Sequence, residues 1–186
     1  MHKLIYWVHT SIDGHIEGPK GEFDWPVMGE ELSAYSEALC ARAGAFLYGR
    51  NVWDMMVSYW PAAETISDHP HDLKFAPVWR RTPKIVVSTT LESDAWAAEV
   101  IRTDPAERIA ELKRQAGADI LLTGGSGLAG TLTRHGLIDE YHIAVHPVVL
   151  GGGRPLFQNG TDRLGLRLVE SRVCDEGVVV TRYDRP

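Results

Sequence analysis

The sequence predicts an α/β fold, with a mixed, mostly parallel central sheet flanked by helices, in a single domain over residues 1–186. Short apolar runs typical of strands alternate with helical patterns from residue 3 to residue 150. Two alternating runs near the C-terminus, joined at Asp175–Gly177, are typical of an antiparallel hairpin. The 186 residues, 44% of them hydrophobic, suffice for one domain with its own core.

Strands are predicted where short runs combine β-branched, aromatic or alternating apolar residues. The predicted strands comprise residues 3–9, 45–49, 84–90, 97–102, 119–124 and 139–150. The C-terminal hairpin, at residues 166–184, makes an otherwise parallel sheet mixed.

Helices are predicted between these strands where apolar residues recur at intervals of three and four. The predicted helices comprise residues 30–44, a segment opening at Arg50, and residues 104–117 and 126–136. In the first, the predicted buried stripe is Leu32, Tyr35, Leu39 and Ala43, with Gly44 at the end. In the third, Asp104 is predicted to cap the helix, Pro105 to stand in its first turn, and Gly117 to end it.

Residues 58–82 contain three prolines and little periodicity. We predict a surface excursion with a single helical turn. His69 and His71 stand there among acids, but no distant partner residue completes a metal site, so a solvated loop is expected.

Composition excludes several classes of protein. The net charge is −6, with acids and bases interspersed, so no basic surface for nucleic acid is expected. No stretch approaches the roughly 20 apolar residues of a membrane span, and the N-terminus lacks the pattern of a signal peptide. Cys40 and Cys174 fit no metal spacing, which favours free thiols and a cytoplasmic location.

A glycine motif, LLTGGSGLAGTL, follows the strand predicted at 119–124 and contains Gly125, Gly127 and Gly130 in the spacing G-x-G-x-x-G. In a Rossmann domain, an acid that binds the ribose follows about 20 residues later. No Asp or Glu occurs from His142 to Gly153, and too little chain remains for a Rossmann sheet. A Rossmann domain is therefore excluded, while a phosphate-binding turn at a helix start and plain turn glycines both remain open.

Two other stretches favour the phosphate-binding interpretation. YGRNVW places Gly49 and Arg50 between a buried strand and a helix start, and VVSTT ends a further strand with three hydroxyls. Ligands of open α/β sheets bind beyond the carboxyl ends of the strands. If the strands are parallel, a dinucleotide could cross all three stretches at one edge.

These residues resemble a known family. HTSIDGHI, GRNVW, KIVVSTT, DILLTGGSGLAGTLTRHGLIDEYHIAVHPVVLGGGRPLF and the terminal hairpin follow in the order of the dihydrofolate-reductase-like superfamily. The sequence is particularly similar to the reductase half of the bifunctional riboflavin-biosynthesis deaminase/reductase and its stand-alone relatives. The resemblance implies a three-layer fold, NADPH as cofactor, a small heterocyclic substrate and a homodimer. The deaminase half, with its zinc-binding signature, is absent.

The resemblance also implies a cofactor site. It assigns Gly49 and Arg50 to cofactor phosphate, and Ser88 and Thr89 to the adenosine 2′-phosphate. It assigns the pyrophosphate and the approach to the nicotinamide to Gly124, Gly125, Ser126, Gly127 and Leu128. Within this motif, Gly130 is expected only to help the helix pack.

The stretch SIDG resembles the active-site loop beside the nicotinamide, and Asp13 is the acid expected to polarise or orient the substrate. Because Asp-Gly is also a favoured turn dipeptide, a turn role stays open for Asp13. Dihydrofolate reductases place a carboxylate on the inward face of the helix before the Gly-Arg strand. Here Glu30 and Glu37 lie off the predicted buried stripe and Glu31 only flanks it. Ordinary dihydrofolate reduction is therefore not expected, unless Glu31 supplies the carboxylate or the substrate binds in another orientation.

Four aromatic residues are candidates for a wall against a flat substrate: Trp25, Trp53, Tyr59 and Trp60. Aromatic residues are more often core than substrate contacts, so at least one of the four is expected only to pack. His142 and His146 share a face of one predicted strand and are expected in the core or at an interface.

Two functions remain. The first is an NADPH-dependent reductase of a pteridine or of a riboflavin-precursor pyrimidine such as 5-amino-6-(5-phosphoribosylamino)uracil. The second is a non-catalytic NADP(H)-binding module. The pyrimidine would need positive charge for its phosphate, for which Arg80, Arg81 and Arg154 are the candidates, although nothing in the sequence directs them there.

Overall fold

The computed structural model describes residues 2–158 and 162–186. The strands are β1 (Leu4–Ser11), β2 (His15–Glu17), β3 (Ala43–Gly49), β4 (Lys84–Val87), β5 (Glu99–Ile101), β6 (Asp119–Thr123), β7 (Glu140–His146), β8 (Arg154–Pro155), β9 (Arg167–Val173) and β10 (Val179–Asp184). The helices are α1 (Glu30–Arg42), α2 (Arg50–Tyr59), α3 (Ala63–Ile66), α4 (Pro70–Arg81), α5 (Pro105–Arg114) and α6 (Ser126–Arg134). None of the helices in these ranges is long and apolar enough to cross a membrane.

Eight strands form one mixed sheet in the order β5-β4-β3-β6-β1-β7-β10-β9. The six strands from β5 to β7 pair in parallel, whereas β10 pairs antiparallel with both β7 and β9. The short strands β2 and β8 pair separately. The predicted fold class, including the C-terminal hairpin, is confirmed.

Side chains of the central strand β1 alternate between the two faces of the sheet, which gives the fold three layers. Ile5 and Trp7 belong to the core that also contains buried residues of α1, α2 and α4. Tyr6 and Val8 belong to the core that contains buried residues of α5 and α6.

The predicted surface excursion at residues 58–82 is wrong, because two helices, α3 and α4, form there. Pro70 occupies the first turn of α4, where its missing N–H costs no hydrogen bond, and His69 caps the helix. Trp79 is fully buried and stacks against Trp53 at 6.2 Å between ring centroids. Burial of this apolar face stabilises a helix that the weak sequence periodicity did not reveal.

Two predicted helix details also need correction. Asp104 makes no side-chain capping hydrogen bond and adopts a left-handed conformation at φ 48°, and α5 ends at Arg114, before Gly117. Helix α1 passes directly into β3 without using Gly44 as its end. The residues that α1 buries are Leu32, Ser33, Ser36, Leu39 and Cys40. The other two members of the predicted stripe, Tyr35 and Ala43, are only half-buried and pack against the same core.

A cluster of ion pairs around the buried Glu140 lies at the amino end of β7. The carboxylate of Glu140, 1% exposed, accepts hydrogen bonds from Arg42 at 2.8 Å and from Lys3 at 2.7 Å. His142 contacts the same carboxylate at 3.1 Å and Tyr35 at 2.6 Å. His142 is thus a core histidine, as the sequence predicts.

Candidate functional site

A two-part cleft opens at the edge of the sheet where the six parallel strands end. One part, here called the aromatic pocket, has a volume of about 290 Å³. The other, here called the phosphate pocket, has a volume of about 200 Å³. The two parts share lining residues, namely Ile16, Glu17, Val52, Met55 and Gly125, and therefore form one continuous cleft.

Two helices begin at the phosphate pocket. Helix α2 follows Gly49 and α6 follows Gly125, and both glycines line the pocket. The first backbone hydrogen bond of α6 runs from the N–H of Ala129 to the carbonyl of Gly125, which leaves three earlier N–H groups of that turn without a helical partner. Free N–H groups and the positive end of the helix dipole favour an anion here.

The turn before α6 requires glycine. Gly124 and Gly125 adopt φ values of +61° and +71°, a left-handed region that other residues rarely occupy. Two consecutive left-handed residues turn the chain from the end of β6 into the start of α6. Gly127 lies in the first turn of α6, where an added Cβ would reach the side-chain oxygen of Gln158 at an ordinary 3.5 Å.

An unpaired hydroxyl marks the same turn. The Ser126 side chain is fully buried, and its Oγ has no hydrogen-bond partner within the described part of the chain. An unsatisfied buried hydroxyl costs free energy, and an oxygen-rich ligand would supply its partner. The turn therefore has the donors and the space that a cofactor phosphate needs.

Two arginines line the phosphate pocket. Arg50 Nη1 donates to Thr90 Oγ1 at 3.0 Å, and Arg50 Nε donates to Asp54 at 2.8 Å. Arg154 Nε donates to Glu17 at 2.6 Å. Both guanidiniums thus lie at the pocket, each held by one carboxylate.

The predicted residues of the cofactor site separate into two groups. Those that line the phosphate pocket are Gly49, Arg50, Gly125, Ser126, Gly127 and Leu128, and Gly124 lines the aromatic pocket beside them. Ser88 and Thr89 line neither pocket. The Ser88 hydroxyl instead accepts the backbone N–H groups of Thr90 and Leu91 and so builds the turn after β4.

Thr90, the third hydroxyl of VVSTT, is the one that reaches Arg50. The backbone carbonyl of Thr89 accepts a hydrogen bond from Arg102 at 3.5 Å, which brings another cation to this loop. The sequence indicates the hydroxyl cluster but not which member faces the arginine.

The aromatic pocket is lined by apolar rings and thioethers together with a few polar groups. The rings and thioethers are those of Trp7, Phe23, Met28, Phe46, Met55, Met56, Trp60 and Phe75. The polar lining consists of His9, Glu17, Ser36, His71, Asp72 and Thr123. No lysine or arginine lines this pocket in residues 2–158 and 162–186.

Two histidines meet at the rim between the pocket and the sheet. His9 Nδ1 lies 2.9 Å from His146 Nε2, and the backbone N–H of Val27 donates to His146 Nδ1 at 3.4 Å. Burial, with His146 and His71 nearby, lowers the pKa of His9 to about 3. Burial lowers the pKa of His146 to about 4. Both imidazoles are therefore neutral at neutral pH.

The structure places Asp13 in a hydrogen-bonded turn, and its expected catalytic role stays a prediction. Its carboxylate accepts hydrogen bonds from the Ser11 hydroxyl at 2.6 Å and from the backbone N–H groups of Leu150 and Gly151 at 3.1 and 2.8 Å. These bonds, led by the one from Ser11, hold the pKa of Asp13 well below its usual range. Asp13 lines neither pocket and anchors the SIDG turn to the 150–151 loop, which is the turn role that the dipeptide left open.

The predicted aromatic wall is wrong in its members. Trp53 is fully buried against Tyr48 and Trp79, so it packs in the core. Tyr59 donates to Asp72 at 2.7 Å from behind the pocket, and Trp25 packs edge-on against His146. Of the four candidates only Trp60 lines the pocket. Trp7 and His9, at the end of the first predicted strand, were missed, although they alternate onto one side of the central strand.

Helix α1 contributes no acid to the described lining of the aromatic pocket. Helix α1 contributes Ser36 and Cys40 to the aromatic pocket, whereas Glu30, Glu31 and Glu37 lie outside its lining. The carboxylate on that side comes instead from Asp72 of α4. Its Oδ2 accepts hydrogen bonds from Tyr59 and, at 2.6 Å, from Ser67.

Comparison with known proteins identifies the family to which this chain belongs. The RibD C-terminal domain model matches residues 2–180, which is nearly the whole chain. The chain belongs to the RibD C-terminal domain family. It is also 33% identical over 181 residues to the uncharacterized protein YyaP of Bacillus subtilis (strain 168), covering 97% of this chain and 94% of YyaP.

Solved structures of other proteins superpose on this member of the RibD C-terminal domain family. A Shewanella sp. PV-4 protein assigned to riboflavin biosynthesis superposes with a TM-score of 0.76 at 26% identity, covering 100% of this chain and 99% of that one. Dihydrofolate reductase from Enterococcus faecalis, complexed with NADP(H) and RAB-propyl, superposes with a TM-score of 0.65 at 16% identity, covering 98% and 96% of the two chains. The fold is dihydrofolate-reductase-like.

Proposed function

We propose that the protein is an NADPH-dependent reductase of a small heterocyclic substrate. The observation that carries this proposal is the position of Ser126. Its buried, unpaired hydroxyl lies in a turn of free N–H groups, one residue from the pocket whose aromatic lining suits a flat ring. A cofactor with a phosphate group and a flat ring would place the phosphate in the phosphate pocket and the ring in the aromatic pocket.

Different residues of this chain would bind different parts of the cofactor. The turn from Gly125 to Leu128 would hold the pyrophosphate through its N–H groups and the Ser126 hydroxyl. Arg50, beside Thr90, would bind the adenosine 2′-phosphate, the group that distinguishes NADPH from NADH. Bound there, NADPH would supply a hydride from its nicotinamide ring. Gly124, which lines the aromatic pocket, leaves room for that ring next to the substrate.

The protein's remaining task is to position the substrate and to exclude water from it. The rings of Trp7, Trp60 and Phe75 offer flat apolar surfaces for a heterocycle. Bonds of Asp72 to Tyr59 and Ser67 fix its carboxylate at the same pocket, where it can accept an N–H group of the substrate.

The pocket favours a substrate without phosphate. Arg80 pairs with Glu64, and Arg154 pairs with Glu17 at the phosphate pocket. In the described lining of the aromatic pocket no cation faces a ribose phosphate. A pteridine-like ring therefore fits this pocket better than 5-amino-6-(5-phosphoribosylamino)uracil.

A titration followed by turnover tests the proposal. Binding of NADPH is measured by energy transfer from tryptophan to the reduced nicotinamide, and turnover by loss of absorbance at the nicotinamide band on addition of dihydropteridines or the phosphoribosyl pyrimidine. Binding with turnover of a pteridine supports the reductase. Binding without turnover of either class favours the non-catalytic NADP(H) module, and no binding contradicts both.

We further propose a homodimer, built on the edge of the sheet. All seven residues of β9 are exposed, and the apolar side chains of Leu168, Val169 and Val173 are 54%, 44% and 73% exposed. An exposed apolar edge strand is unusual unless another surface covers it. Light scattering after size-exclusion chromatography should give twice the mass of the chain, and a monomer at all concentrations would contradict the proposal.

A further inference from the structure

One polar group of the aromatic pocket is left without a partner by the fold. His9 Nδ1 contacts His146, but His9 Nε2 forms no hydrogen bond in the described ranges of the chain. His9 itself lines the aromatic pocket and is only partly buried. Its free nitrogen is therefore available to a ligand.

The position of His9 relates it to the cofactor turn. Trp7 of β1 lies opposite Thr123 of β6, and the backbone N–H of Gly124 donates to the carbonyl of Trp7. His9 follows two residues later on the same face of β1, beyond the end of β6. A ring that reaches the aromatic pocket past Gly124 thus arrives beside His9.

The hydrogen-bond chain fixes which nitrogen of His9 carries the proton. A backbone N–H can only donate, so His146 Nδ1, which faces the N–H of Val27, is an acceptor. Neutral His146 then carries its proton on Nε2 and donates it to His9 Nδ1. Neutral His9 must in turn carry its proton on Nε2, the atom left free for the pocket.

We propose that His9 presents a neutral Nε2–H donor to the substrate and that His146 is the positioning residue that fixes this tautomer. This inference rests on the proposed reductase function and names the feature its substrate must have. That substrate carries a carbonyl oxygen or ring nitrogen, bonded to the carbon that is reduced, at the side of the pocket facing β1.

A donor at this atom suits the reduction. As hydride arrives at the carbon of a C=O or C=N bond, the π electron pair moves onto the heteroatom, and a proton from solvent then completes the reduced product. A hydrogen bond to that heteroatom stabilises the developing charge, and a neutral imidazole is suited to this role. The titratable groups that face His9 are His146 of β7 and His71 of α4, while Glu17 and Asp72 line the same pocket. At neutral pH His9 and His146 bring no positive charge to the substrate, and burial lowers the pKa of His71 as well.

The tautomer can be measured directly on the whole protein. In ¹⁵N-histidine-labelled protein at pH 7, long-range ¹H–¹⁵N spectra should show His9 and His146 as Nε2–H tautomers, with pyridine-type Nδ1 atoms. The variant His146→Leu should convert His9 into a mixture of tautomers. An Nδ1–H tautomer or a protonated His9 in the wild-type protein would overturn the proposal.

Contact with a ligand is tested with pterin in the presence of NADP⁺. Pterin should shift the Nε2 and Hε2 resonances of His9, and His9→Leu should weaken pterin binding by about tenfold while NADPH still binds. The variant His9→Gln, which keeps an N–H donor, should recover part of the pterin affinity. NADPH binding without any pterin effect at His9 would overturn the substrate-facing role, whereas no NADPH binding would instead contradict the proposed function.

Discussion

The guanidinium of Arg50, at the start of α2, lies 3.0 Å from the hydroxyl of Thr90, in the loop that follows β4. This contact joins the carboxyl ends of two neighbouring parallel strands, β3 and β4. It holds a cation at the outer end of the phosphate pocket, at the loop where the resemblance to dihydrofolate reductases expects the 2′-phosphate.

Replacing Arg50 by alanine should weaken NADPH binding more than NADH binding. A hydrogen bond to a charged group contributes about 1.5 kcal/mol or more, which corresponds to about tenfold in Kd for NADPH. Isothermal titration with both nucleotides measures the difference. Arg114→Ala is the matched control, because Arg114 is exposed at the end of α5, at the opposite edge of the sheet.

Equal losses for the two nucleotides would contradict a contact between Arg50 and the 2′-phosphate. That result would leave Arg50 a role at the pyrophosphate, since it also lines the phosphate pocket.

Two glycines of the G-x-G-x-x-G motif should respond differently to alanine. A Cβ at Gly130 would come within 2.2 Å of the backbone oxygen of Gln158, so Gly130→Ala should lower stability by about 1–3 kcal/mol. A Cβ at Gly127 meets only a side-chain oxygen at 3.5 Å, so Gly127→Ala should keep the wild-type Tm. It should nevertheless weaken NADPH binding, because the methyl group enters the phosphate turn. Thermal unfolding and NADPH titration of both variants check this, and the reverse pattern would show that the roles are exchanged.

Removing the Ser126 hydroxyl should have opposite effects on folding and on binding. The buried Oγ has no partner in the described structure, so Ser126→Ala should leave the Tm of the free protein unchanged or raise it. The same variant should bind NADPH about tenfold more weakly, since the proposed phosphate contact is lost. Ser58→Ala, an exposed position on α2, serves as the control. A lower Tm with unchanged NADPH affinity would contradict the assignment.

Stability should fall as the solution becomes acidic, beginning below pH 6.5. His9 and His146 have folded-state pKa values of about 3 and about 4, below the ordinary 6.5, so the unfolded chain binds more protons between these values. Their contribution is complete above pH 6.5 and is lost as pH falls toward the folded-state values, by up to about 1.4 kcal/mol per pH unit for each group. Below pH 4.5 Glu140 adds to the loss. Burial alone would raise the pKa of Glu140, but hydrogen bonds from His142, Arg42 and Lys3 hold it well below its usual range.

Urea unfolding at pH 7.5, 6.5, 5.5 and 4.5 measures this slope. The variant His146→Leu should be less pH-dependent than the wild type between pH 6.5 and 4.5. A wild-type stability that is constant across that interval would contradict neutral, buried histidines.

The sequence predicts those parts of the fold in which local pattern and tertiary packing agree. Strand runs such as residues 3–9 and 119–124 are apolar on both faces, as strands buried between two helical layers must be. Glycines before α2 and α6 indicate strand-to-helix turns, and residues of these turns line the phosphate pocket. Parallel strands bring such turns to one edge, so the phosphate pocket could be predicted from two separated stretches.

The substrate half could not be anticipated, because burial and side-chain direction decide it. Trp53 and Trp60 are both aromatic residues of one short segment, yet Trp53 packs in the core and Trp60 lines the pocket. The turn contacts of Asp13 could not be predicted, because its partners, the N–H groups at 150–151, lie 137 and 138 residues away in the chain. Burial of Trp79 stabilises helix α4. The apolar periodicity of residues 70–81 is too weak to predict that helix.

The proposed cofactor site is best tested by a crystal structure with NADP⁺ bound. We expect the pyrophosphate against the N–H groups of Ser126 to Leu128, the 2′-phosphate at Arg50, and the nicotinamide beside Gly124 and His9. A cofactor bound elsewhere on the molecule, or a protein that binds no NADP⁺ at millimolar concentration, would contradict it.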